Sequence, residues 1–259
     1  MKKILLFLCV ISVVAMMTSC LRRSDGYDEW GFVFIAQSEN GMKYGRTANG
    51  RAITNNHIQA GEIISGEQIT YLDVGNFFFF RYMWNEETDG RTSLGESRGY
   101  ADNANIVSQV IPINRVILNL TPAPEGAPEE RFYRFSHSVI GFPEAWRWND
   151  HWIVGFQYIG GVGMPEVTFY KRGYEIRNNT TYIEIDVRIS NIPQVTPPQQ
   201  TIRGGHDLAL DMSDIRRGFQ QETDRNMRIR FHYYQGQEVA IPRYTPWTPW
   251  TLTGTAQQQ

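Results

Sequence analysis

The chain has 259 residues, 41% of them hydrophobic, and sets 25 basic against 27 acidic side chains. A net charge of −2 gives no electrostatic footprint for nucleic acid, so no such partner is expected. With two cysteines in all, the disulfide framework that staples many small exported domains is excluded as well.

Met1-Lys2-Lys3 opens the chain with positive charge, and Ile4 to Met17 is an apolar run broken only by Ser12. That run falls short of the ~20 residues a spanning helix needs, so residues 1–19 read as a removable export signal. The run ends in Met17-Thr18-Ser19-Cys20. This resembles the lipobox of bacterial lipoproteins, with Met17 where leucine is usual, and implies cleavage before Cys20 and lipid on its thiol. Small residues suit that position because the peptidase must approach the backbone closely. Cys9 then leaves with the signal, so the mature chain carries neither a free thiol nor a disulfide. Loss of Lys2 and Lys3 brings the charge to −4, from 23 basic against 27 acidic groups. Stable anchoring takes two membrane signals, which the multiple acylation implied by the resemblance supplies. The expected partner is thus a membrane, reached through lipid on Cys20. Residues 20–30 form a polar tether. In it Leu21-Arg22-Arg23 precedes the first acid, Asp25, and the anchor is expected on the outer membrane facing the periplasm, where an acidic export signal is not required.

From Trp30 onward short β-strands dominate. Phe32 to Ala36 is a buried-type run, followed by Asn40-Gly41, which reads as a type I′ hairpin turn. Met42 to Thr47 and a second Asn-Gly pair, Asn49-Gly50, repeat the pattern. Gln68 to Val74 and Phe77 to Trp84 are two further strands, and the unbroken Phe77–Phe80 run predicts cover on both faces. Glu86 to Asn105 reads as a long polar loop. Ile106 to Leu120 returns to the sheet, with Pro112 pointing to an edge or a bulge. Three prolines and a glycine in 121–128 mark a linker, which separates an expected domain at 31–120 from another at 129–245.

In the second half, strands are expected at Trp152–Tyr158, Glu166–Lys171, Thr181–Ile189, His206–Met212, Met227–Tyr234 and Val239–Tyr244. Ile183, Ile185, Val187 and Ile189 alternate with Glu184, Asp186 and Arg188, the pattern of a sheet with one buried and one wetted face. Ser213 to Glu222 suits a short helix, and 246–259 reads as a loosely ordered tail. Strands at this spacing favour a Greek-key sandwich.

Sites of chemistry are sparse. His57, His137, His151, His206 and His232 are dispersed, in no metal-ligand spacing, and read as surface or loop residues. No nucleophile elbow occurs. Gly160-Gly161-Val162-Gly163 leads into Met164-Pro165 rather than a helix, so it reads as a turn and not a phosphate loop. Glu86-Glu87 and Glu129-Glu130 read as solvated loop charge. No catalytic residue, metal or cofactor is expected. The anomaly is aromatic content, 13% with seven tryptophans. Trp146, Arg147 and Trp148 cluster beside Trp152 and are candidate ligand or partner contacts, because exposed aromatics bind sugar rings and anchor interfaces.

The order of parts resembles the NigD-like lipoproteins of Bacteroidales. The resemblance is carried by the acidic start Asp25–Glu29, the strand pair about Asn40-Gly41, Asn149–Phe156, His206–Met212 and Met227–Gly236. It implies an all-β chain with an N-terminal OB-like β-barrel and a C-terminal immunoglobulin-like β-sandwich. The chain is read as a non-enzymatic cell-envelope lipoprotein of this type, and the aromatic loops point to binding of an envelope protein or glycan. A surface glycan-binding lipoprotein of a polysaccharide-uptake system is the alternative, and a hydrolase using loop carboxylates a more distant one.

Overall fold

The computed structural model describes residues 26–65, 68–95, 99–136, 147–148, 151–195, 201–218, 226–236 and 239–251. The signal, Cys20 and Trp146 lie outside the described residues. The first half comprises β1 (Gly26–Gln37), β2 (Lys43–Thr47), β3 (Ala52–Thr54), helix α1 (Asn56–Ala60), β4 (Glu62–Ser65) and β5 (Gln68–Tyr71). It continues with β6 (Phe77–Asn85), β7 (Arg91–Ser93), β8 (Tyr100–Asn103), β9 (Asn105–Ile106) and β10 (Ile111–Ile117). The second half has β11 (Arg134–Ser136), β12 (Arg147–Trp148), β13 (His151–Gly160), β14 (Glu166–Arg177), β15 (Thr180–Ser190) and β16 (Ile202–Asp211). Helix α2 (Ser213–Gly218), β17 (Asn226–Gln235), β18 (Ile241–Tyr244) and β19 (Thr248–Thr251) complete it. The protein is all-β.

β6 organises the first half. Phe78, Phe80, Tyr82 and Trp84 point to one face, where they pack with Val33, Ile35, Ile53, Ile58 and Leu72. Phe77 points to the other and joins Phe32, Ile113, Ile153 and Ala209. The unbroken phenylalanine run is therefore covered on both faces, as its lack of alternation requires.

The two halves share a sheet. In β10, Ile111–Ile113 pairs antiparallel with β6, and Asn114–Ile117 then pairs parallel with β16. Among the described residues, Pro112 sits on the stretch of β10 that pairs with β6 alone, which is where a residue without an N–H is tolerated. The resulting order is β11-β13-β16-β10-β6-β1-β2-β3-β8-β7. Residues 86–105 are not the expected loop, since they hold β7, β8 and the first residue of β9. The resemblance implied an OB-like β-barrel for the first half; among the described residues no closed barrel forms and the path stays open. β8 pairs with β3, whereas β9, one residue further on, pairs with β6. Between them the Ala104 N–H turns back to Asp102 O at 2.8 Å. No single strand therefore bridges β3 and β6.

A second sheet, β14-β15-β17-β18 with β19 also on β17, packs across β13 and β16. The core between them joins Trp152, Val154 and Phe156 to Ile183, Ile185 and Val187, with Leu208, Leu210, Ile229 and Phe231. Two departures and one feature of the glycine-rich turn follow. Residues 248–251 are not a loose tail: β19 pairs with β17, and Trp250, 4% exposed, belongs to this core. The proline-rich 121–128 segment lies against the second sheet, where Arg188 Nη1 donates to Gly126 O at 3.2 Å. Gly161 accommodates a backbone crossing, its N–H donating to Pro193 O at 2.6 Å, while an added Cβ would lie 2.3 Å from Gln194 O.

Candidate functional site

The outer face of the second sheet carries an array of charged and aromatic groups. It arises from the alternation of β15. Ile183, Ile185 and Val187 are fully buried, so Tyr182, Glu184 and Asp186 must point the other way. β17 runs parallel to β15 and sets Arg228 opposite Tyr182, Arg230 opposite Glu184 and His232 opposite Asp186. A bulge between Lys171 and Gly173 turns Arg172 of β14 toward the same face.

At one end this face is closed. His232 Nδ1 lies 3.2 Å from Asp186 Oδ1, and both residues are buried, at 2% and 5% exposure. The His232 ring packs against Tyr244 and Tyr234, with centroids 4.7 and 5.0 Å away. Arg188 Nη2 donates to Asp186 Oδ2 at 3.1 Å. The expectation of a surface or loop histidine fails at His232, because its own strand and the returning β18 cover it.

At the other end the face opens into a cleft of about 420 Å³. Arg230 Nε donates to Glu184 Oε1 at 2.8 Å, and Nη2 bonds the same oxygen. Arg172 Nε stands 3.6 Å from Glu184 Oε2. Two guanidiniums thus share one carboxylate. Arg177 Nε bonds Glu175 Oε1 at 2.5 Å, and this bond holds the Glu175 carboxyl below its ordinary range. The Arg230 guanidinium lies 4.4 Å from the Trp247 ring centroid and 4.5 Å from that of Tyr244. Tyr182 meets Trp247 edge-on at 5.0 Å, and Tyr174 is 57% exposed. This array offers ring faces and cationic donors. Among the described residues, its lining holds no histidine, serine or cysteine.

Other polar clusters tie the fold together. At the junction of the halves, Asp211 is bonded by Arg115 Nη2 and by the Ser213 N–H at 2.9 Å, with His151 Nε2 3.9 Å away. Burial pushes the Asp211 carboxyl up, but the Arg115 and Ser213 bonds and the His151 charge outweigh it and bring it to about 2. Tyr27 donates to Asp102 at 3.0 Å and Tyr82 to Glu29 at 3.2 Å. Burial first, then the neighbouring carboxylates, push both phenols upward, so they stay protonated as donors. Burial likewise raises the Asp207 carboxyl. A second cavity, of about 490 Å³, is lined by Glu130, Tyr133, Ile192 and Gln194, and there Glu130 Oε1 accepts the Ile192 N–H at 3.0 Å.

Of the residues expected from sequence as contacts, Arg147 and Trp148 form β12 and pair with Trp152 and His151. Their side chains lie outside the described residues, as does Trp146. β12 belongs to the other sheet, so this segment and the cleft are separate features. Trp247, assigned from sequence to the tail, lines the cleft. The outward residues of β15 and β17 are legible in their alternation, but the parallel pairing that aligns the two strands and the fold that brings Trp247 beside them are not. Among the described residues, no group of three or more His, Cys, Asp or Glu is placed to hold a metal. No described helix is long and apolar enough to cross a membrane.

The fold defines a class: an all-β chain in which an open N-terminal sheet runs through one shared strand into two packed sheets. Solved structures share it. One is an uncharacterized protein from Parabacteroides merdae, with TM-score 0.54 and 8% identity over 86% of this chain and 99% of that one. Another, named as a lipoprotein, is from Bacteroides fragilis, with TM-score 0.51 and 11% identity over 85% and 96%. The neighbours also include a NigD-like immunity protein from Bacteroides caccae, with TM-score 0.47 and 12% identity over 86% and 97%. At these identities the first two likenesses show the fold alone, and no conclusion is drawn from the third. No family model matches the chain, and no curated protein matches it.

Proposed function

We propose that this chain is a non-enzymatic, NigD-like lipoprotein of the cell envelope, anchored by lipid on Cys20, whose work is to bind. The observation that carries the binding reading is the cleft, in which aromatic rings and partly exposed guanidiniums converge. The lipobox resemblance supports the anchor, on the periplasmic face of the outer membrane, and the lipoprotein name of the Bacteroides fragilis neighbour agrees with it. The strand connections support an OB-like first half, with α1 after β3 and a parallel β3–β8 pair. Two sheets over one core support an immunoglobulin-like second half.

Two measurements test this. Alkyne-palmitate labelling in the native host is expected to mark the wild-type chain and to be lost in Cys20→Ala; equal labelling of both removes the anchor. Affinity gels containing envelope polysaccharides are expected to retard the wild type more than Trp247→Ala. Equal retardation removes the cleft as the contact and turns attention to Trp146, Arg147 and Trp148, to be tested by the Trp146→Ala/Trp148→Ala pair.

A further inference from the structure

The charges in the cleft do not cancel. Among the described residues, Arg177 is matched by Glu175, while Arg172 and Arg230 share Glu184. Three guanidiniums against two carboxylates leave one positive charge in a cleft of a protein whose overall charge is negative. Donors remain as well. Arg172 Nε stands 3.6 Å from Glu184, and Arg230 bonds it through Nε and Nη2. Among the described residues, both terminal nitrogens of Arg172 and Nη1 of Arg230 are left to bond a ligand. Arg172 is 42% exposed at its side chain and Arg230 28%, so neither is sealed from solvent.

A guanidinium fork matches a planar carboxylate in charge and geometry. The surroundings decide what carries that carboxylate. Five of the nine lining residues are charged, whereas the core of a protein interface is depleted of charge, so a docked protein segment is disfavoured. A saccharide presents hydroxyls that exchange hydrogen bonds with such a lining, and C–H faces that lie on rings such as Tyr174, Tyr182 and Trp247. The volume falls within the roughly 300–1,000 Å³ usual for small-ligand sites.

We propose that the cleft between β14, β15, β17 and Trp247 binds an acidic, uronate-type glycan, whose carboxylate is taken by Arg172 and Arg230 beside Glu184 while its ring lies against the aromatic side chains. This rests on the binding reading above and narrows it to one ligand class.

The test is calorimetric titration of the full chain in detergent with tetragalacturonate and with its methyl ester, which has the same ring but no charge. The acid is expected to bind and the ester to bind at least about tenfold more weakly, the scale of losing a hydrogen bond to a charged group. Arg172→Met, which keeps the stem of an exposed side chain, is expected to weaken the acid by a similar factor with an unchanged melting temperature. Arg177→Met serves as a second variant if Arg172→Met melts early, and is expected to weaken the acid through loss of a cation at the rim. Equal affinity for acid and ester, or full affinity in a folded Arg172→Met, overturns the uronate assignment while leaving the cleft a binding site. Heat from neither ligand also overturns it, and the polysaccharide gels then decide the binding reading on their own.

Discussion

Asp211 shows how one side chain couples the two halves. It ends β16 in the second half, and its partner Arg115 lies on β10, the strand shared with the first. Its carboxyl falls from 3.8 to about 2 on folding. A group depressed in the folded state contributes stability that is present above its unfolded pKa and lost as pH falls through the folded one. The contribution, roughly 2 kcal/mol, is therefore expected intact at pH 5 and gone near pH 2. Urea unfolding of wild type and Asp211→Asn checks it: the two are expected to differ at pH 5 and to converge toward pH 2. A gap that persists at the lower pH would show that packing, not charge, sets the effect.

At the scale of elements, turn chemistry was legible in kind but not in detail. Both Asn-Gly pairs do make hairpin turns. Each, however, has only its glycine at positive φ, Gly41 at 84° and Gly50 at 83°, in three-residue loops closed by Ser38–Met42 and Thr47–Arg51 backbone bonds. The two-residue turn with both positions left-handed falls instead at Asn178-Asn179, φ 48° and 60°, between Arg177 and Thr180. Asn179→Gly there is expected to be neutral or stabilising by a few tenths of a kcal/mol, and Asn179→Val destabilising by about 1 kcal/mol or more, since a β-branched side chain disfavours positive φ. Thermal melts of the two variants decide this. β19 carries a larger effect. Trp250 packs at 6.1 Å from Trp152 in the core, so Trp250→Ala is expected to cost about 3–5 kcal/mol. A loss below 1 kcal/mol in urea unfolding would return residues 248–251 to a peripheral role.

On the scale of the whole molecule, β10 makes the halves interdependent. It pairs with β6 on one side and β16 on the other, and Ile153 and Ala209 pack against Phe32 and Phe77. Tryptophan fluorescence and far-UV circular dichroism are expected to report one coincident unfolding transition. A fragment starting at Thr121 would bare the β16 edge and the Ile153 face, and is expected to aggregate. Two separated transitions, or a soluble monomeric fragment, would contradict this and show that the halves fold independently.

The sequence by itself determined the all-β class, most second-half strands, the two-sided cover of Phe77–Phe80 and the inward set Ile183–Ile189. These follow from periodicity and local propensity, which need no distant partner. It also carried the Met17–Cys20 stretch that resembles a lipobox, a pattern read from local sequence alone. Only the tertiary structure decided that β10 joins the halves, that the first sheet stays open at Ala104 and that 248–251 complete the core. It alone aligned Glu184 with Arg230 and folded Trp247 beside them. Those outcomes depend on which strands meet at long separation, and alternation tells a strand which face to bury without naming its neighbour. The candidate cleft is made almost wholly of such meetings, so its residues were visible in the sequence while the site was not.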